Sequence, residues 1–222
     1  YGSSGEINAT TLQIGGTAIT ATAAELNILD GVTSIATSLN GLSDCMIETD
    51  SLYIGHDPNA STGTAQYNVS VGVTALDPIT EGDSNTAMGY HTLTANTLGS
   101  LNTGIGALAL KTNENGDQNT AIGAEALEAN DGSDNIGIGY QAGKLNSSGD
   151  KNTLIGTQAG SSLTTEDLNV CIGYQSGMRI TGGKNTTIGS NAGDAITTGS
   201  ENTIIGQGAD PSAEAASNQI VL

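Results

Sequence analysis

Phenylalanine and tryptophan are absent from this 222-residue chain, and tyrosine occurs only six times. A globular core of this size normally leans on aromatic rings for buried area, so the filling has to come from small and aliphatic residues. Glycine alone takes 32 positions. Basic residues are nearly as scarce, five against 23 acidic ones, for a net charge of −18. All five, Lys111, Lys144, Lys151, Arg179 and Lys184, lie from position 111 onward. A chain without a basic face suits neither nucleic acid nor anionic membrane. Its acidity reads as a solvated, aggregation-resistant surface that tolerates salt. Cys45 and Cys171 are too few for a disulfide framework, and neither sits in a metal-ligand spacing. No run of about 18 apolar residues occurs, so no transmembrane helix is expected. No secretory leader is visible. The chain opens at Tyr1 without a methionine and stops inside a repeat, which reads as a fragment.

What the chain does have is a repeat. Copies of one short motif begin at Ser51, Asn68, Asn85, Asn102, Asn119, Asn135, Asn152, Asn169, Asn185, Asn202 and Asn218, at steps of 16 or 17 residues. Clean copies read Asn119-Thr120-Ala121-Ile122-Gly123 and Asn152-Thr153-Leu154-Ile155-Gly156. So short a period predicts a solenoid, each repeat a rung that gains its core by stacking on its neighbours. The fold expected is all-β: a short-repeat parallel β-roll or β-solenoid over residues 48–222, after an N-terminal segment over 1–47.

Within the rungs from Asn68 to Asn202 the second position is β-branched throughout (Val69, Thr86, Thr103, Thr120, Ile136, Thr153, Val170, Thr186, Thr203), which favours strand. The fourth holds Ile105, Ile122, Ile138, Ile155, Ile172, Ile188 and Ile205, with Val71 and Met88 before them. Alternate residues of a strand share a face, so positions two and four are expected to form the core ladder, with small residues such as Ala121 and Gly137 facing the other way. The fifth position is glycine, at Gly89, Gly106, Gly123, Gly139, Gly156, Gly173, Gly189 and Gly206 among others, and marks a corner with positive φ or a close backbone approach. Three residues on, Ala109, Ala126, Ala142, Ala159, Ser176 and Ala192 suggest a second short strand across a thin core. Polar turns such as Ser148-Gly149-Asp150-Lys151 close the rungs and absorb the variation in period.

Chemistry-bearing constellations are few. The leading asparagines are expected to stack and hydrogen-bond up one edge. The Gly/Asp-rich turns lack the Gly-Gly-x-Gly-x-Asp nonapeptide of calcium-binding rolls, so neither metal nor cofactor is expected. A threonine array at position two suggests ice binding, but it shares its face with the isoleucines, and burial is the simpler reading. His56 and His91 have no partners in a triad pattern, and the acids form no recurring pair of the glycosidase kind. No enzyme is expected. Tyr90, Tyr140 and Tyr174 share the sixth position; they either cover the edge of a thin core or, with Lys144, Lys151 and Lys184, offer a weak receptor contact suited to an acidic glycan.

Before the array, Thr11–Ile19 reads as two short strands turning at Gly15-Gly16. Thr22-Ala23-Ala24-Glu25 is a capping box that predicts a short helix over about 22–30, ended by Gly31. Another apolar stretch runs from Ile35 to Leu42.

The stretch Ile19-Thr20-Ala21-Thr22-Ala23-Ala24-Glu25-Leu26-Asn27-Ile28-Leu29-Asp30-Gly31-Val32-Thr33 resembles a segment common in tail fibres of tailed bacteriophages, notably those of marine bacteria and cyanobacteria. The rungs, for example Asn119 to Ala126 and Asn135 to Gly143, resemble the head repeats of trimeric autotransporter adhesins and the same repeats in phage fibres. The adhesin heads favour a shorter period than the 16 to 17 residues seen here. The resemblance implies a homotrimer of left-handed parallel β-rolls and a structural role in host attachment. Expected partners are two further copies, other tail or fibre proteins, and a host cell-surface glycan or protein. The implied location is the virion or, for an adhesin, the bacterial surface. In such fibres a final Asn-Gln-Ile-Val-Leu rung, here Asn218 to Leu222, is often followed by a self-cleaving chaperone domain, which is not among these residues.

Overall fold

A computed structural model describes residues 50–55 and 63–222 and, before them, the backbone of three short strands. The chain divides into two compact units, 1–37 and 38–222. In the first, β1 (Gln13–Ile14) and β2 (Thr17–Ala18) pair antiparallel, with Ile14 opposite Thr17. That is the strand pair predicted around Gly15-Gly16. The helix predicted over 22–30, the stretch 35–42 and His56 lie outside the described residues.

In the second unit twelve strands form one sheet in chain order. They are β3 (Cys45–Glu48), β4 (Ser51–Ile54), β5 (Val69–Val71), β6 (Thr86–Met88), β7 (Thr103–Ile105), β8 (Thr120–Ile122), β9 (Ile136–Ile138), β10 (Thr153–Ile155), β11 (Val170–Ile172), β12 (Thr186–Ile188), β13 (Thr203–Ile205) and β14 (Ile220–Val221). From β4 to β14 every pairing is parallel and in repeat register, Thr120 on Ile136 and Ile122 on Ile138, for example. This is the parallel β-solenoid that the repeat predicts, and no helix occurs among the described residues. β3 runs antiparallel to β4, with Met46 opposite Tyr53, and occupies the first edge of the stack.

One register differs from the sequence reading. Thr203 pairs with Ile220, so Gln219, not Asn218, leads the last rung. The Gln219 backbone N–H donates to Asn202 Oδ1 at 3.0 Å, while Asn218 takes the left-handed backbone (φ 58°) that Lys151 and Glu201 adopt just before their strands. The final turn is as long as its neighbours. The asparagine letter alone misplaced it.

The facing of the strands is the reverse of the expectation. Position three points inward: Ala87, Ala121, Leu154, Cys171, Thr187 and Ile204 are buried. Positions two and four lie on the outer face, where Ile105, Ile138, Ile155, Ile172 and Ile188 are only partly buried and Ile122 and Ile205 are exposed. The opposite wall carries no second strand. It is a run of turns that presents Ala109, Ala126, Ala142, Ala159, Ser176 and Ala192, all buried, together with a leucine or glycine one residue later.

The reason is the width of the interior. Position three faces position nine across a narrow gap, and one is small where the other is large. Ser70, Ala87, Gly104 and Ala121 sit in the rungs of Leu76, Leu93, Leu110 and Leu127; Leu154, Cys171 and Thr187 sit in those of Gly160, Gly177 and Gly193. The rung 135–151 is the seam, with glycine at both places. A Cβ on Gly137 would lie 2.7 Å from Leu127 Cγ, and one on Gly143 would lie 2.4 Å from Leu154 Cδ1. The leucines of the flanking rungs therefore fill the seam from either side, as dense protein interiors require.

Polar ladders bind the rungs on either side of this core. Each leading asparagine is buried; its Oδ1 accepts the next asparagine's backbone N–H, as in Asn119 to Asn102 at 2.9 Å, and its Nδ2 donates to a turn carbonyl, as in Asn119 to Gly132 at 2.8 Å. This is the stacking that the sequence predicts. A second buried ladder, at position twelve, was not foreseen. Asn113, Asn130 and Asn146 each donate Nδ2 to the Oδ1 of the rung before, the last at 2.7 Å. It stops at Asn146, whose Oδ1 has no partner, because the next rung carries Leu163 there. A buried acceptor left unmade costs about 1–3 kcal/mol. Leu163→Asn is therefore expected to be better tolerated than Ile180→Asn by about that amount, since only the first amide finds an acceptor below it. Urea unfolding of the two variants measures the difference, and equal destabilisation would rule out the ladder-end account.

Candidate interaction face

The outer face of the sheet is the longest uninterrupted feature of the molecule. Its rows are position two (Leu52, Val69, Thr86, Thr103, Thr120, Ile136, Thr153, Val170, Thr186, Thr203, Ile220) and position four (Ile54 through Ile205). Rungs spaced about 4.8 Å apart make the rows roughly 50 Å long, and two rows with their side chains are about 10 Å wide. That is on the order of 500 Å² of nearly flat surface, at the upper end of what a soluble monomer leaves open. No position on either row is charged, in a chain of net charge −18. Met88 is 49% exposed and Ile122 38%. Past one edge, the row that precedes the strands by two residues mixes exposed Tyr67, Leu101 and Leu168 with charged Asp134, Lys151, Lys184 and Glu201.

The threonine row is thus not buried within the chain, as the sequence reading assumed. It does share its face with the aliphatic row, and the mixture of methyls and hydroxyls suits dry packing against protein.

Tyr90, Tyr140 and Tyr174 lie at the other edge, just after the corner glycines, and all are exposed. The basic residues do not join them as a positive patch. Lys144 pairs with Glu125 and, at 3.4 Å, with Glu128; Lys111 approaches Glu128 at 3.7 Å, and Lys184 approaches Glu201 at 3.5 Å. The hydrogen bond from Lys144, helped by one from Gln141, holds the Glu125 carboxyl below its ordinary range, and the same contact holds the Lys144 ammonium above its own. Lys151 precedes β10, at the opposite end of a strand from the tyrosine positions. An acidic glycan therefore finds little free positive charge beside Tyr140 and Tyr174.

Besides closing the rungs, the turns tie each rung to the next. Asp83, Asp117, Asp150 and Asp167 accept the backbone N–H of the preceding rung at 2.7–2.8 Å, from Gln66, Ser100, Ser133 and Asp150. Among the described residues no group of His, Cys, Asp and Glu could hold a metal ion. Burial pushes the Cys171 thiol up to about 11, so it stays protonated and inert near neutrality and serves as packing. His91 stacks edge-on against Tyr90, ring centroids 4.0 Å apart, away from any nucleophile pattern.

Fold and face together define a parallel β-solenoid with one charge-free apolar side. No protein-family model, no curated protein and no solved structure matches this chain.

Proposed function

We propose that this chain is a structural rod of a trimeric fibre, of the phage tail-fibre kind, that acts in host-cell attachment from the virion. The observation that carries the reading is the charge-free apolar face running the whole length of the array. A strip of that size left in water invites association, and Tyr67, Leu101 and Leu168 add exposed apolar surface beside it on a row that is otherwise polar or charged. The surface between copies is then the Thr/Ile face, not the small-residue face, which fills the interior of each chain. The resemblance of Ile19 to Thr33 to tail-fibre segments supports the phage setting, and that of the rungs to trimeric adhesin heads supports the threefold assembly. The same rungs fit a bacterial surface adhesin of the trimeric autotransporter type, which is the alternative. The role is mechanical, without catalysis; the turn carboxylates are engaged in holding rungs together. Partners on this reading are two further copies, adjoining fibre proteins and a host surface component.

Sedimentation equilibrium tests it. The 222-residue chain is expected to run as three copies, and Ile122→Glu with Ile138→Glu to run as a folded single chain, because two carboxylates on the face would be stranded without partners on burial. A folded wild-type monomer at high micromolar concentration would sink the proposal. Freezing-point hysteresis by such a monomer would give the face to ice instead.

A further inference from the structure

We infer that the solenoid edge carrying Tyr140 and Tyr174 is a binding strip for a neutral, extended polysaccharide. This rests on the attachment reading above and gives it a ligand class. The two tyrosines are 47% and 52% exposed, with the smaller Thr157 at the equivalent position of the rung between them. Two rungs separate them by about 9.6 Å, a span over which an extended pyranose chain advances by two rings and presents the same ring face again. An exposed phenol offers a flat apolar surface for the C–H face of a sugar and a polar tip for its hydroxyls.

The residue after each of these positions supplies the polar half of the strip. Gln158 Nε2 donates to Gln141 Oε1 at 3.0 Å, and Gln175 Nε2 donates to Gln158 Oε1 at 2.8 Å. Gln141 in turn donates to Glu125 at 2.9 Å, and Asn191 donates to Gln175 at 3.3 Å. Such a ladder uses one N–H and one lone pair of each amide and leaves the second of each. The amides are already held in place, so engaging a ligand orders little that was free. Donor and acceptor side by side, repeated at the rung spacing, match the hydroxyl pattern of a sugar chain. Between Gln141 and Gln175 the strip carries no net charge, and Lys144 at its margin is neutralised by Glu125 and Glu128. A neutral glycan meets a strip without net charge, with Lys144 beside it already engaged.

Isothermal titration of the assembled 222-residue chain with cellohexaose, maltohexaose and a hyaluronan hexasaccharide tests this. Binding is expected for the extended neutral chain, with little for the curved neutral or the acidic one. Tyr140→Ala and Tyr174→Ala should each weaken it about tenfold, and Gln158→Glu, which breaks the ladder and adds a charge, at least as much. Tyr90→Ser should leave it unchanged, because His91, not a glutamine ladder, adjoins that ring. Circular dichroism and sedimentation confirm that each variant is folded and assembled. No binding of cellohexaose by an intact trimer, preference for the acidic sugar, or equal loss in Tyr90→Ser would overturn the strip and leave the rod standing. Binding retained by a chain that proves monomeric would overturn the trimeric rod and leave the strip.

Discussion

Leu154→Ala is expected to cost about 5 kcal/mol, the upper end of the range for truncating a buried leucine. Its side chain fills space in two rungs at once. One methyl occupies the place of a Cβ on Gly143 and the other that of a Cβ on Gly160, at 2.4 and 2.6 Å. Removing it opens a cavity that neither glycine can close. The second half of the experiment is a rescue. Leu154→Ala with Gly160→Leu gives the rung the arrangement that Ala121 and Leu127 already show two rungs earlier. Leucine tolerates the left-handed backbone at that place, with φ between 49° and 54° at Leu76, Leu93, Leu110 and Leu127. Guanidine unfolding of the two single variants and the double should reveal strong coupling, with most of the loss recovered. A double variant no more stable than the worse single one would refute the complementarity of positions three and nine.

The second large effect is at the corner. Gly139→Ala should cost about 3 kcal/mol or more, because two penalties coincide. Its φ of 127° is a conformation that side chains rarely adopt, and an added Cβ would stand 2.6 Å from the Gly156 carbonyl carbon and 2.7 Å from its oxygen. Both atoms are backbone in the stacking direction, so relief requires the rungs to part. Gly208→Ala is the control: its φ is 61°, and nothing lies within 4 Å of the new carbon. There only the backbone strain remains, about 1–2 kcal/mol. Thermal melts of the two variants separate crowding from strain, and similar shifts would mean that the close rung approach at Gly139 is not limiting.

Much of this architecture could be read in the chain beforehand. The period, the in-register strands, the corner glycines and the asparagine stack follow from residue types that recur at fixed places, because each answers a demand made by its own backbone. What misled was the assumption that the apolar side of a strand faces its own core. Ile122 and Ile155 are apolar on account of a surface that is covered from outside the chain on the reading proposed here, whereas Ala121 and Gly137 are small because a leucine opposite needs the room. A signal for this was present. Leucine at position nine gives way to glycine within a rung of where position three grows from Gly137 to Leu154, an exchange that only facing residues would make. The amide ladder of Gln141, Gln158 and Gln175 was equally visible as a row of letters, but its meaning depends on rungs stacking without an offset. The pairing of Lys144 with Glu125, nineteen residues apart, could be read only once the rungs were stacked.

The seam at residues 135–151 sets a rule for how such an array can change length. A rung copied beside itself on either side of the seam meets a neighbour of its own kind, and the stack closes with the same fillings as before. Copies of Asn119–Asp134 belong with those before the seam, and copies of Asn169–Lys184 with those after it. Moved across and set against the rung of Leu154, a rung of the first kind would bring its leucine against that side chain, while a rung of the second kind moved the other way would leave a hollow. The outer rows are indifferent to the choice, since β-branched and isoleucine positions are alike in both halves. Reach can therefore grow or shrink by whole rungs within either half while the surface shown to partners keeps its pattern.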